Sequence, residues 1–131
     1  MSVRALPMAC LVAALGLTSS ASAQDKPNWR EGRKVFKRCE SCHTFKVGEH
    51  RFSPSLAGFY GQNVGAARDF TYSKGMREKS VEGLVWTGET LNIFLTAPGK
   101  FIPKTKMNFP GLRAEQGRRN VIAYLKRRSK R

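Results

Sequence analysis

Residues 37–45 read KRCESCHTF. Two cysteines, Cys39 and Cys42, stand two residues apart, and His43 follows the second directly. Three chemistries use such a cluster: a redox dithiol, a zinc site and covalent attachment of a haem. A redox dithiol needs its cysteines at the mouth of a helix in a βαβ unit, where the thiolate is stabilised. Here the pair follows a helical pattern in a chain with no strand signal. A structural zinc site needs four ligands, and Cys39, Cys42, His43 and His50 would supply them. His43 abuts Cys42, however, and suits a shared tetrahedron poorly. Haem attachment asks for what is present: each thiol can add to a vinyl group, and the next residue offers its imidazole to the iron. That chemistry fits best.

The context of the motif agrees with it. Residues 1–23 carry one charge, Arg4, an apolar stretch ACLVAALGL (9–17), and the small triplet Ala21-Ser22-Ala23. This is the layout of a secretory signal peptide cut after Ala23, leaving one domain over 24–131. The apolar stretch is far short of the roughly 20 residues of a membrane span. Cleavage removes Cys10 and leaves two cysteines, in an exported chain of a kind that suits haem attachment outside the cytoplasm. Without Arg4, 23 basic groups face 9 acidic ones, an excess of 14. An excess of that size points to an anionic partner: an acidic protein face, an anionic membrane or nucleic acid. No base-reading motif is present, so a specific nucleic-acid role is not expected.

The chain reads as all-α, with three main helices and long loops wrapped around one cofactor. Asn28 followed by Glu31 fits an N-cap with a capping-box partner, and the helical pattern runs on to Arg38. GETLNIFLTA (88–97) places Leu91, Phe94 and Leu95 at i, i+3 and i+4, and Pro98 is expected to end that helix. AEQGRRNVIAYLKRR (114–128) sets Val121, Ile122, Tyr124 and Leu125 in one stripe, with basic residues in its last turn. Between the helices, 48–65 and 72–85 read as loops rich in Gly, Ser, Pro and charge. Loops that long need something to pack against.

An iron held by His43 needs a sixth ligand, and a thioether raises its potential relative to a second imidazole. Past the leader the methionines are Met76, in a charged segment (KGMREK), and Met107, in FIPKTKMNFPG. Pro103 and Pro110 brace the second segment and would keep a weak sulfur ligand in place. Ordinary core filling is the plain alternative for Met107, and an exposed or loosely packed side chain is that for Met76.

GRKVFKRCESCHT, PSLAGFYG, FTYS, VWTGETLNIFL, IPKTKM and NVIAYLK follow one another in this order. In these pieces the chain resembles the class I c-type cytochromes, in particular the mitochondrial cytochrome c and bacterial cytochrome c2 group, from about Asn28 to Lys126. The resemblance implies the cytochrome c fold around one haem c. It makes Cys39 and Cys42 the thioether tethers, and His43 and Met107 the axial iron ligands. It places Pro54 where a backbone carbonyl accepts a hydrogen bond from the proximal histidine. Tyr72 and Trp86 fall at the haem propionates, and Thr105 at a further polar contact. It also sets Gly32 and Phe36 of the first helix against Val121 and Tyr124 of the last. His50, apart from the family, reads as a structural histidine bonding a nearby loop.

The chain departs from the family in places. Gln62 stands where an arginine usually meets the inner propionate, Phe94 where a tyrosine often lies near the methionine sulfur, and Met76 where an asparagine is common. The segment before Trp86 is about three residues longer.

An iron ligated on both faces has no vacant position for substrate, so the expected role is electron transfer rather than enzymatic chemistry. The resemblance implies a monomeric periplasmic carrier between a bc1-type quinol-oxidising complex and a terminal cytochrome c oxidase or photosynthetic reaction centre. Arg38, Arg51, Lys100, Lys106 and Arg113 match a positive ring that docks acidic partners. Two other roles stay open: cytochrome partner of a periplasmic dehydrogenase, and haem peroxidase if the methionine ligand is labile.

Overall fold

The computed structural model describes residues 26–130, so the leader and its cleavage after Ala23 lie outside it. Five helices follow in order: α1 (Trp29–Phe36), α2 (Lys74–Val81), α3 (Gly88–Thr96), α4 (Pro98–Phe101) and α5 (Glu115–Ser129). Among the described residues no strand forms, and Asn63 and Val85 make one isolated antiparallel bridge. No described helix is long and apolar enough to cross a membrane.

α1 starts where its cap predicts. The Asn28 side chain accepts from the backbone N–H of Arg30 at 2.9 Å and of Glu31 at 3.5 Å. Glu31 does not complete a capping box; it pairs with Lys34 at 2.8 Å instead. The helix ends at Phe36 rather than Arg38, and the chain tightens into a turn that carries the cysteines. In that turn Cys39 donates to Phe36 at 2.7 Å, and Cys42 and His43 both donate to the Cys39 carbonyl, at 3.1 and 2.8 Å.

α1 crosses α5 at Gly32. A Cβ there would lie 1.9 Å from the Asn120 carbonyl oxygen and 2.9 Å from the Tyr124 Cβ, so only glycine permits this approach. The Asn120 side chain also accepts from the Asn28 backbone N–H at 2.8 Å. Phe36 lies 5.3 Å from the Tyr124 ring and 5.1 Å from Phe45, which builds an aromatic cluster beside the crossing. Such ring pairs stabilise by about 0.5–1.5 kcal/mol beyond their buried area. Of the stripe read on α5, Val121, Tyr124 and Leu125 are buried and Ile122 is half-buried.

α3 buries Leu91, Phe94 and Leu95 as their spacing predicts. Thr87 and Thr90 cap it reciprocally, and Pro98 follows its end as the first residue of α4. Residues 72–85 differ from expectation, since eight of them form α2. The Ser73 side chain caps it by accepting from the Met76 N–H at 3.3 Å. Gly75, a poor helix former, hides the pattern, yet it is what lets α2 meet the Pro103 carbonyl, where a Cβ would stand at 1.9 Å.

Candidate haem site

Where α1, α3 and α5 diverge, the loops enclose a cavity of about 430 Å³. Phe36 of α1, Leu91, Phe94 and Leu95 of α3, and Val121 and Leu125 of α5 form its apolar wall. The 48–65 loop adds Leu56 and Phe59, and the segments outside the helices add Phe70, Phe109 and Leu112.

One side of the cavity is the turn after α1. Cys39 and His43 line it, while Cys42 is exposed and outside its lining. Neither Cys39 nor Cys42 is in a disulfide among the described residues. Burial, helped by the neighbouring Cys42 and Glu40, raises the Cys39 pKa to about 11, against a smaller opposing pull from Arg38. His43 lies with its Nδ1 2.8 Å from the Pro54 carbonyl oxygen. A carbonyl only accepts, so Nδ1 carries the proton and Nε2 keeps its lone pair. Burial holds the imidazole pKa below its ordinary value, while the Pro54 bond pulls the other way. A neutral ring is the form that ligates metal.

Met107 lines the same cavity, on the segment that follows α4. The Thr105 hydroxyl accepts from the Met107 backbone N–H at 3.2 Å and stiffens that segment from within. Phe109 sits two residues on, also in the wall. Met76 reaches the cavity as well, half-buried on α2, so it is not the loose loop side chain that its charged neighbours suggest. Phe94 lies 5.0 Å from the Trp86 ring and offers no hydroxyl to a sulfur.

Tyr72, Trp86 and Gln62 all border the cavity. The Tyr72 hydroxyl accepts from the Ala67 N–H at 3.2 Å, which leaves its own proton free to donate. Burial raises the Tyr72 pKa above its ordinary value, with the Ala67 bond acting in the opposite sense. Both His50 nitrogens are engaged by backbone: Nε2 donates to Arg68 at 2.7 Å and Nδ1 accepts from Ser55 at 3.0 Å. His50 is therefore not available to share a zinc ion with the cysteines.

The basic residues are only partly brought together. Arg38 and Lys106 line the cavity. Arg51 is exposed and its guanidinium donates to the Glu40 carbonyl. Lys100 borders a separate shallow groove with Ile93 and Phe101, and Arg113 is exposed outside the cavity lining.

One residue of the site's support was not singled out from the sequence. Arg118, 9% exposed, donates through Nε to Asn92 on α3 at 2.8 Å, and through Nη1 to the Leu112 and Arg113 carbonyls at 2.7 and 2.8 Å. It ties the end of the Met107 segment to α3 and α5. Its position at i−3 and i−7 from Val121 and Leu125 is the signal that places it on the buried face.

A flat apolar cofactor with two carboxylates and a metal fits this donor set: a thiol, a neutral imidazole and a thioether in one apolar chamber, with polar groups at Tyr72 and Trp86. Fold and site thus define a small helical haem protein of the electron-transfer class. The cytochrome c family model matches residues 29–129. Cytochrome c2 of Afifella marina is 40% identical over 96 residues, covering 72% of this chain and 77% of its own. Cytochrome c of Theileria parva is 44% identical over 101 residues, covering 76% and 84%. The solved structure of cytochrome cH from Methylobacterium extorquens superposes with a TM-score of 0.70 at 33% identity, over 76% of this chain and 98% of that one. The chain belongs to the cytochrome c family, and it is a single-haem electron-transfer protein that carries covalently bound haem c.

Proposed function

We propose that the protein is a soluble periplasmic carrier that takes single electrons from a bc1-type quinol-oxidising complex. It passes them to a terminal oxidase or a photosynthetic reaction centre. One observation carries this reading: His43, on the turn after α1, and Met107, on the segment after α4, line one largely apolar cavity. His43 and Met107 would hold the haem iron between them, which would leave no position open for substrate, and the haem would supply an iron that changes oxidation state.

The chain's own residues supply the rest. Cys39 and Cys42 hold the haem through thioethers. Pro54 fixes the His43 ring and its tautomer, and such a bond also raises ligand basicity. Thr105 stiffens the Met107 segment, so that a weak ligand stays in place. Tyr72 and Trp86 border the cavity and would meet the propionates, and the wall of Phe36, Leu91, Phe94 and Leu125 would exclude water. Arg38, Arg51, Lys100, Lys106 and Arg113 steer acidic partners; encounters of this kind are fast, weak and salt-sensitive. The cytochrome c2 relatives support a role in electron transfer between redox partners.

Stopped-flow oxidation and reduction against purified bc1 complex, oxidase and reaction centre, across ionic strength, tests the reading. Fast exchange that slows with salt is expected. The oxidised protein should also show the near-infrared sulfur-to-iron band at neutral pH. Absence of that band would leave an open iron position and turn the reading toward a peroxidase.

A further inference from the structure

Phe52 is 94% exposed, although it borders the haem cavity and most of its neighbours are held in place. Isolated surface hydrophobics are common and by themselves signify little. The mounting of this one is what sets it apart.

The segment that carries Phe52 is pinned on both sides. Before it, His50 bonds to Arg68 and Ser55, and the Arg51 guanidinium donates to the Glu40 carbonyl between the two cysteines. After it, Ser53 donates to the Cys42 carbonyl at 3.2 Å and accepts from Arg51 at 3.1 Å. Pro54 then accepts from His43. The segment is thus fastened to the haem-attachment turn through the Arg51 side chain before Phe52 and the Ser53 backbone after it, while the phenyl ring is left in solvent. A rigid aromatic loses little freedom on binding, so it makes an effective anchor.

We propose that Phe52 is the apolar anchor of the docking face, and that its partner is an acidic redox protein with an apolar recess ringed by carboxylates. The inference rests on the proposed electron-carrier role and names the chemistry of the partner's face. Charge selects the acidic rim: Arg51 precedes Phe52 directly, Arg38 and Lys106 border the same opening, and the full chain carries a net charge of +15. Screening weakens those contacts at distance, whereas burial of a phenyl ring is not screened. Steering and anchoring are therefore separable. The cations set how fast the partner arrives, and Phe52 sets how long it stays in register beside the cofactor.

The test uses the haem-loaded protein and a purified bacterial cytochrome c oxidase, with Phe52→Ser, Phe52→Leu and Lys106→Gln compared across ionic strength. Phe52→Ser should raise the KM for oxidation about tenfold, as loss of a hot spot does. The slope of rate against ionic strength should stay that of the unsubstituted protein. Phe52→Leu should recover most of the loss, and Lys106→Gln should flatten the salt slope. An unchanged KM in Phe52→Ser overturns the anchor while leaving the steered carrier intact. A midpoint potential shifted by Phe52→Ser also overturns it, because the ring would then act on the haem rather than on the partner. No reaction of the unsubstituted protein with oxidase, bc1 complex or reaction centre overturns the carrier role and the anchor together.

Discussion

His43 and Pro54 are joined by a 2.8 Å hydrogen bond from the ring Nδ1 to the backbone carbonyl. Proline holds that carbonyl stiffly, and the bond makes the imidazole a stronger donor to iron. Pro54→Ala should loosen it and raise the midpoint potential, because a less basic ligand stabilises Fe(III) less. Redox titration, with the Nδ1–H resonance followed by NMR, checks this. A displaced resonance with an unchanged potential would disconnect the bond from the iron.

The cysteine pair gives a covalent prediction. With Cys39→Ala and Cys42→Ala together, no haem should remain with the protein after denaturation in acid solvent. Either single change should leave one thioether and retained haem. Haem that survives in the double variant would overturn the assignment of both tethers.

Met107→Ala should lower the midpoint potential markedly and abolish the near-infrared sulfur band, since a thioether favours Fe(II). Met76→Leu, at the half-buried methionine of α2, should leave the band in place. If the two outcomes are exchanged, Met76 is the ligand.

Gly32→Ala should cost about 1–3 kcal/mol in denaturant unfolding, the range for overpacking a close contact. The new methyl meets backbone, the Asn120 carbonyl at 1.9 Å, rather than a flexible side-chain tip. A neutral effect would mean that α1 and α5 can slide apart freely.

Tyr72 sets an expectation at high pH. Its pKa is raised by burial, so the folded state favours the protonated phenol. Its contribution to stability is fully present below the ordinary tyrosine value of about 10 and is lost as pH rises through the higher folded value. Tyr72→Phe, which cannot ionise, should flatten the alkaline side of a stability-against-pH profile. A profile unchanged by the substitution would remove Tyr72 from that transition.

The parts legible in sequence are those with short-range chemical rules. Asn28 announces α1 and Leu91, Phe94 and Leu95 announce α3, because caps and periodicity act within a few residues. That Cys39, His43 and Met107 come together at one cavity is readable for a different reason: the first two by a fixed spacing, the third by a family pattern. What stayed hidden depends on distant partners. Gly75 reads as a loop residue until Pro103 stands against it, which hides α2 from the sequence. Arg118 reads as one more surface charge until Asn92 and two carbonyls surround it. Lys100 matches the docking ring by its place in the sequence and borders the groove of Ile93 and Phe101 in the structure, a placement that spacing along the chain does not encode.

The crossing at Gly32 has a consequence for the order in which the molecule is made. α1 is completed by α5, so the first helix finds its seat only when the last has been delivered. A chain that enters its compartment N-terminus first therefore presents Cys39 and Cys42 long before Asn120 and Tyr124 arrive. Throughout that interval the thiols stand on an unfinished chain, open to whatever machinery joins them to haem.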